Sequence, residues 1–179
     1  MVDAPQNNMV SAFQHEFQRN RRLVEQALGD LSDEDFFRKP GDAVNSIALI
    51  VKHMAGNLTS RWSNLLESDG DKPARDRDQE FVLEPADTRE HLMAAWDSAW
   101  QTVSATLAGL RGEDLSRVIE IRGEAHTVLQ ALARGASHTA YHAGQILYLV
   151  RWLQPAAKWR TIPPGGSKQH GPGKYLRGL

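Results

Sequence analysis

The sequence contains no cysteine. That absence excludes disulfide scaffolds, thiolate zinc sites, iron–sulfur clusters and cysteine nucleophiles. Neither sign of charge dominates: 21 Lys and Arg stand against 22 Asp and Glu in 179 residues, a formal net charge of -1. A dedicated nucleic-acid binder normally carries a basic surplus, so that class is set aside. No apolar run approaches the roughly 20 residues of a membrane span, because Lys52 and His53 interrupt the longest candidate. Met1 to Asn8 has no basic segment leading into an apolar one, so no secretory signal is expected and the expected address is the cytoplasm. Several catalytic signatures are missing too. There is no Glu-x-x-His of the di-iron bundles, no His-Glu-x-x-His, no Gly-x-Ser-x-Gly and no phosphate-cradling glycine loop.

With 41% hydrophobic and 24% charged residues, the composition suits one globular domain spanning 1–179. Four stretches carry apolar residues at three- to four-residue steps, which predicts helices over 8–29, 45–68, 87–110 and 127–154. Their stripes include Phe13, Phe17 and Val24, then Ile47, Met54 and Leu58, then Leu92, Trp96 and Val103, and finally Leu132, Ile146 and Leu149. Asn45 or Ser46, Asp87 or Thr88, and Thr127 are the expected caps. Ser32 opens a short helical turn before Pro40. Residues 117–123 are expected to form an extended arm or hairpin. The charged connection after Asp69 runs to about Pro85, long for a bare loop. Four helices around one core predict an all-α four-helix bundle. The Gly- and Pro-rich tail, 155–179, is expected to be irregular yet packed on the bundle through Trp159, Ile162 and Tyr175, with Lys158, Arg160 and Lys168 meeting its acidic surface.

Charge is unevenly spread along the chain. Residues 1–124 hold 14 basic and 22 acidic residues, whereas 125–179 hold 7 basic and no acidic ones. Either the last third balances the rest of the fold, or it sets up a positive field favouring anionic ligands.

His138 and His142 lie four apart in the fourth helix and so share a face. That face also carries Val128, Leu132, Ile146 and Leu149, and two imidazoles on an apolar stripe need something to satisfy their nitrogens. A divalent ion does so. The plainer reading is a pair of partly exposed histidines on the bundle's shoulder. His53, in the middle of the second helix, supplies a third imidazole if helices two and four are neighbours. Three protein ligands with an open position are the catalytic pattern for zinc-like ions. His15 and His91 sit among charged residues on expected solvent faces, His126 precedes the last helix, and His170 lies in the tail.

This arrangement resembles the DinB-like (YfiT-like) metal-dependent hydrolase superfamily, through His53, His138 and His142. It is closer still to an uncharacterised subgroup, through Asn45-Ser46-Ile47-Ala48, Gly56-Asn57, Ser60-Arg61-Trp62, Asp69-Gly70 and Arg75-Asp76-Arg77-Asp78. The resemblance implies a four-helix bundle, a zinc- or nickel-type site on the three histidines, a homodimer, and transfer or isomerisation with a low-molecular-weight thiol. It does not extend to a substrate.

The leading expectation is a metal-dependent transferase or hydrolase activating water or a small thiol, which must arrive as a cosubstrate in a chain without cysteine. Asn57 and Gln145, each about one turn from a histidine, are candidates to orient a substrate, and Arg61 and Arg134 to pair with an anionic group. Alternatives are a non-catalytic metal-binding or stress-related dimeric bundle, or a structural dimer with Trp96, Trp100 or Trp152 in its interface. The run 69–80 alternates charge but lacks the turn glycine of a calcium loop, so it reads as a solvated loop or as a clamp behind the site. Asn57-Leu58-Thr59 matches a glycosylation triplet but falls within a helix.

Overall fold

The computed structural model describes residues 5–156, 161, 165 and 166. The expectation that the tail packs through Trp159, Ile162 and Tyr175 lies outside the described residues, as does His170. Five α-helices are described: α1 (Pro5–Leu28), α2 (Asp33–Phe37), α3 (Ile47–Trp62), α4 (Arg89–Gly109) and α5 (Val128–Leu153). A hairpin of β1 (Val118–Ile121) and β2 (Glu124–Thr127) precedes α5.

The helix starts are set by side-chain oxygens. The hydroxyls of Ser32, Ser46, Thr88 and Thr127 accept from the backbone N–H groups of Asp35, Leu49, His91 and Gln130, satisfying donors that the first turn leaves free. At Thr127 the Gln130 side chain returns the bond, closing a capping box. The second long helix ends earlier than its periodicity predicted, at Trp62 rather than Ser68. Ser63 donates from its N–H and its hydroxyl to the Thr59 carbonyl, and Asn64 turns left-handed at φ 49°. Asn tolerates that conformation. The turn folds Leu65 back onto the core, where it is buried, so the apolar spacing continues where the helix does not.

Helices α1, α3, α4 and α5 form the bundle, α1 packing on α5 and α4, and α3 on α4 and α5. Contacts fix the directions. Trp62 and Lys52 of α3 meet Thr106 and Asp87 at opposite ends of α4, so these two helices run parallel. Gly135 of α5 faces Trp62 while His142 reaches His53, so α3 and α5 run antiparallel. Parallel neighbours need a connection that returns along the bundle. That is the task of residues 63–88, which include a 3-10 turn at Gln79–Phe81.

The buried residues form one cluster drawn from all four long helices, α2, the hairpin and the segments between them. Its aromatic centre is Phe17, edge-on to Trp62 at 5.0 Å and to Trp100 at 6.3 Å, with Trp96 against Trp100 at 5.5 Å. Trp96 and Trp100 are therefore core residues of this chain and not interface residues; Trp152 is half exposed. Gly135 is required here, because a Cβ would stand 2.7 Å from Trp62 and 3.0 Å from Phe17.

The hairpin pairs Val118 with Thr127 and Ile121 with Glu124. Both turn residues are left-handed, Arg122 at φ 58° and Gly123 at φ 71°, as a two-residue type I′ turn requires. The Asp69 carboxylate holds the non-glycine position in place, accepting from the N–H groups of Arg122 (2.8 Å) and Gly123 (2.7 Å). This contact ties the hairpin to the α3–α4 crossover. No helix of the described residues is long and apolar enough to cross a membrane.

Candidate metal centre

Because α3 and α5 are antiparallel neighbours, each presents a ladder of polar residues at four-residue spacing to the same cleft. Along α3 the order is His53, Asn57, Arg61; along α5, in the opposite direction, it is His142, His138, Arg134. The histidine ends meet. His53 Nε2 lies 3.3 Å from His138 Nε2, which lies 3.2 Å from His142 Nε2. The three rings offer nitrogens that all fall within 4.8 Å of one another.

The outer face of each anchored ring determines its tautomer. The Glu80 carboxylate faces His53 Nδ1 at 2.8 Å, so Nδ1 carries the hydrogen and Nε2 presents a lone pair. His142 Nδ1 stands 2.8 Å from Gln145 Oε1, with the same consequence. Burial, then the neighbouring His142 and His53, and then Arg61 and Arg75, push the His138 pKa down to about 3. Burial also lowers that of His142, against the raising effect of Gln145. Both imidazoles are thus neutral at pH 7, the form that binds metal.

These distances fit an ion. Two tetrahedral ligands at about 2.0–2.1 Å from zinc stand roughly 3.3 Å apart, close to the separations found here. Neutral imidazole donors suit zinc, nickel and related ions. The rings do not lie in the middle of the α5 apolar stripe, as the sequence had suggested. His138 and His142 are half-buried at its edge, beside fully buried Leu132, Thr139 and Ile146, and so open onto the cleft.

Behind His53 stands a network that the sequence left as a choice between a solvated loop and a clamp. It is a clamp. Glu80, 7% exposed, accepts from His53 and from Arg75 twice, at 2.7 and 2.8 Å. Arg75 also donates to Asp71, which accepts from Arg122 of the hairpin. Burial pushes the Glu80 carboxyl up, but the bonds from His53 and Arg75 outweigh it and hold its pKa below the ordinary value. The carboxylate reaches this position because residue 56 is glycine: a Cβ there would stand 2.3 Å from Glu80 Oε1. Phe81 completes the support, stacking on the His53 ring at 4.6 Å. Glu80 and Gly56 are the functional residues that sequence reasoning missed. The Gly56-Asn57 pair after His53 and the acidic end of the crossover were the available signals.

The cleft is a cavity of about 580 Å³, lined by the three histidines, Asn57, Phe81, Tyr141 and five arginines: Arg61, Arg75, Arg77, Arg122 and Arg134. Among the described residues that line it there is no carboxylate. Asn57, Arg61 and Arg134 all line this cavity. Gln145 does not line this cavity; its side-chain oxygen faces His142 from behind. His91 is exposed, as expected, but His15 is buried and not on a solvent face.

Residues 5–166 match the family described as "Protein of unknown function (DUF1572)". The chain belongs to this family. Two crystal structures share the fold. One, of a conserved protein from Enterococcus faecalis, is 17% identical with a TM-score of 0.64, covering 79% of this chain and 94% of that one. The other is a DinB-like protein, YjoA, from Bacillus subtilis, 20% identical with a TM-score of 0.61, covering 87% of this chain and 97% of that one. The fold of this DUF1572 member is thus the DinB-like helical bundle that the resemblance implied. No curated protein matches it.

Proposed function

We propose that this DUF1572 protein is a metal-dependent enzyme, a transferase or hydrolase acting on a small molecule, with zinc or nickel held by His53, His138 and His142. The observation carrying the proposal is the convergence of three imidazole nitrogens at 3.2 and 3.3 Å in the lining of a cavity large enough for a small molecule. The ion, when bound, would supply Lewis acidity that makes a water or a thiol nucleophilic at neutral pH. The chain's own residues do the rest. Glu80 and Gln145 fix the ring orientations from behind, Asn57 offers an amide to the substrate one turn from His53, and the arginines draw anionic groups in. A chain without cysteine takes any thiol as a cosubstrate. The proposal carries the cytoplasm as the site of action, where small thiols stay reduced. It also carries a homodimer, for which the exposed apolar side chains of Val44, Tyr148 and Trp152 offer a contact surface.

A second reading, non-catalytic metal binding, draws on the absence of a lining carboxylate to move a proton. X-ray absorption at the metal edge separates the two. Three imidazoles plus an oxygen ligand that a small thiol replaces support the enzyme. A fully protein-ligated ion that ignores thiols supports the second reading.

A further inference from the structure

The cavity has a second end. Arg61 lies two turns beyond His53 on α3, and Arg134 lies one turn before His138 on α5, so both guanidinium groups belong to the wall away from the histidines. Arg61 is 9% exposed, and its Nη1 has no hydrogen-bond partner among the described residues. It packs against Gly70, where a Cβ would stand 3.1 Å from Nη1. Burial and the like charges of Arg134 and Arg75 bring its pKa down to about 10, so it remains charged at neutral pH. Asp71 offsets only part of this from beyond ion-pair distance, and a buried cation without an ion pair is a liability that a well-packed apolar side chain would remove.

The other arginines differ in how they are used. Arg75 is engaged by Glu80 and Asp71, and Arg122 by Asp71. Arg134 donates to His126, an imidazole that brings no negative charge. Arg77 is exposed and lies over the Phe81 ring, so the cations that the two histidine-bearing helices themselves present to the cavity are Arg61 and Arg134, and neither makes an ion pair with a carboxylate among the described residues. A single carboxylate would answer half of that charge; a dianion answers all of it, and guanidinium forks match its oxygens in pairs.

We propose that Arg61 and Arg134 bind a dianionic oxyanion, a phosphoryl group or a pair of adjacent carboxylates, carried on the far end of a small-molecule substrate whose reacting end lies at the histidines. The second half of this statement rests on the metal reading; the anion site does not. Helical rise gives the spacing. Four residues separate Arg134 from His138 and eight separate Arg61 from His53, about 6 and 12 Å along the helix axes. The oxyanion is thus a handle and not the reacting group, held a few bonds from the atom that is attacked.

The test uses metal-free, full-length protein, so that it stands apart from the zinc result. Inorganic phosphate, succinate and acetate are titrated at matched ionic strength by calorimetry, with wild type, Arg61→Met and Arg134→Gln. Phosphate or succinate should bind at least about tenfold tighter than acetate, and whichever binds tighter identifies the source of the dianion. Arg134 is exposed, so its variant should fold normally and bind the dianion about tenfold more weakly. Arg61→Met should remove binding, leave the zinc stoichiometry unchanged and leave the ligand-free melting temperature unchanged or higher. A merely structural arginine would instead lower that temperature. Wild type that binds no dianion at about 10 mM, prefers acetate, or binds as both variants do would overturn the proposal. If phosphate binds and zinc does not, the anion site stands and the metal reading falls; the opposite pair of results does the reverse.

Discussion

Replacing a glycine inside a helix by alanine ordinarily stabilises a protein by about 1 kcal/mol. Two interior glycines here should respond in opposite directions. Gly144 on α5 is exposed, and a Cβ there meets nothing within 4 Å. Gly144→Ala should gain the full helix-propensity term. Gly56 on α3 lies against Glu80, and the added methyl would fall 2.3 Å from Oε1 and 2.7 Å from Cδ, so the carboxylate must retreat. Its hydrogen bonds to His53 and Arg75 then break, stranding a ring N–H and a guanidinium whose side chain is only 5% exposed. Leaving such donors without their charged acceptor costs about 3 kcal/mol, so after the helix gain a net loss of about 2 kcal/mol remains. For a chain of this length that lowers the melting temperature of Gly56→Ala by about 4–8 °C, and Gly144→Ala should rise by about 2–4 °C. Zinc affinity should fall about 10- to 100-fold in Gly56→Ala, because His53 loses the group that orients it, and should not change in Gly144→Ala. Adding Gly56→Ala to Glu80→Ala should cost nothing further, since the clash is gone. Thermal melts of the metal-free proteins with zinc titrations check all three statements. A Gly56→Ala protein that is stabilised like Gly144→Ala and binds zinc like wild type would refute the role given to Glu80.

Two further outcomes follow from the same structure. His138 and His142 have depressed pKa values when folded, so below the unfolded value of about 6.5 the unfolded chain takes up protons that the folded site refuses. Stability of the metal-free protein should be level above that pH and fall between pH 6.5 and 5; a urea midpoint equal at pH 7 and pH 5, or a fall undiminished in His138→Gln, would count against this. Asp69 accepts from the backbone of Asp71, Arg122 and Gly123, so Asp69→Ala should cost about 2 kcal/mol and loosen the hairpin carrying Arg122, read as lost amide-exchange protection at Arg122 and Gly123.

Much of this was legible in the residues because it is local. Ser46, Thr88 and Thr127 mark their helices through hydroxyl caps that need no partner beyond the next turn, and the spacing of His138 and His142 is a property of one helix. The position of His53 beside them needed only neighbouring helices. What stayed hidden depends on pairs distant in sequence. Glu80 reaches His53 only because α3 and α4 run parallel and the crossover passes behind the site, and because residue 56 lacks a side chain. Apolar spacing outruns helix α3 because Leu65 is buried after the turn at Asn64 as it would be within a helix. Charge counting by segment also misled. The last third of the chain has the surplus, yet four of the five arginines lining the cavity, Arg61, Arg75, Arg77 and Arg122, come from the acidic first part.

The central claim is that His53, His138 and His142 together hold one divalent ion. Its most direct test is a zinc titration of untagged, metal-free protein, comparing wild type with His138→Ala, and with His91→Ala as a control on an exposed ring. Wild type and His91→Ala should each bind one ion per chain with equal affinity, and His138→Ala, with one imidazole removed from between two others, should bind at least about a hundredfold more weakly. Zinc bound by His138→Ala as tightly as by wild type would contradict the claim, and with it the enzyme reading that depends on the ion.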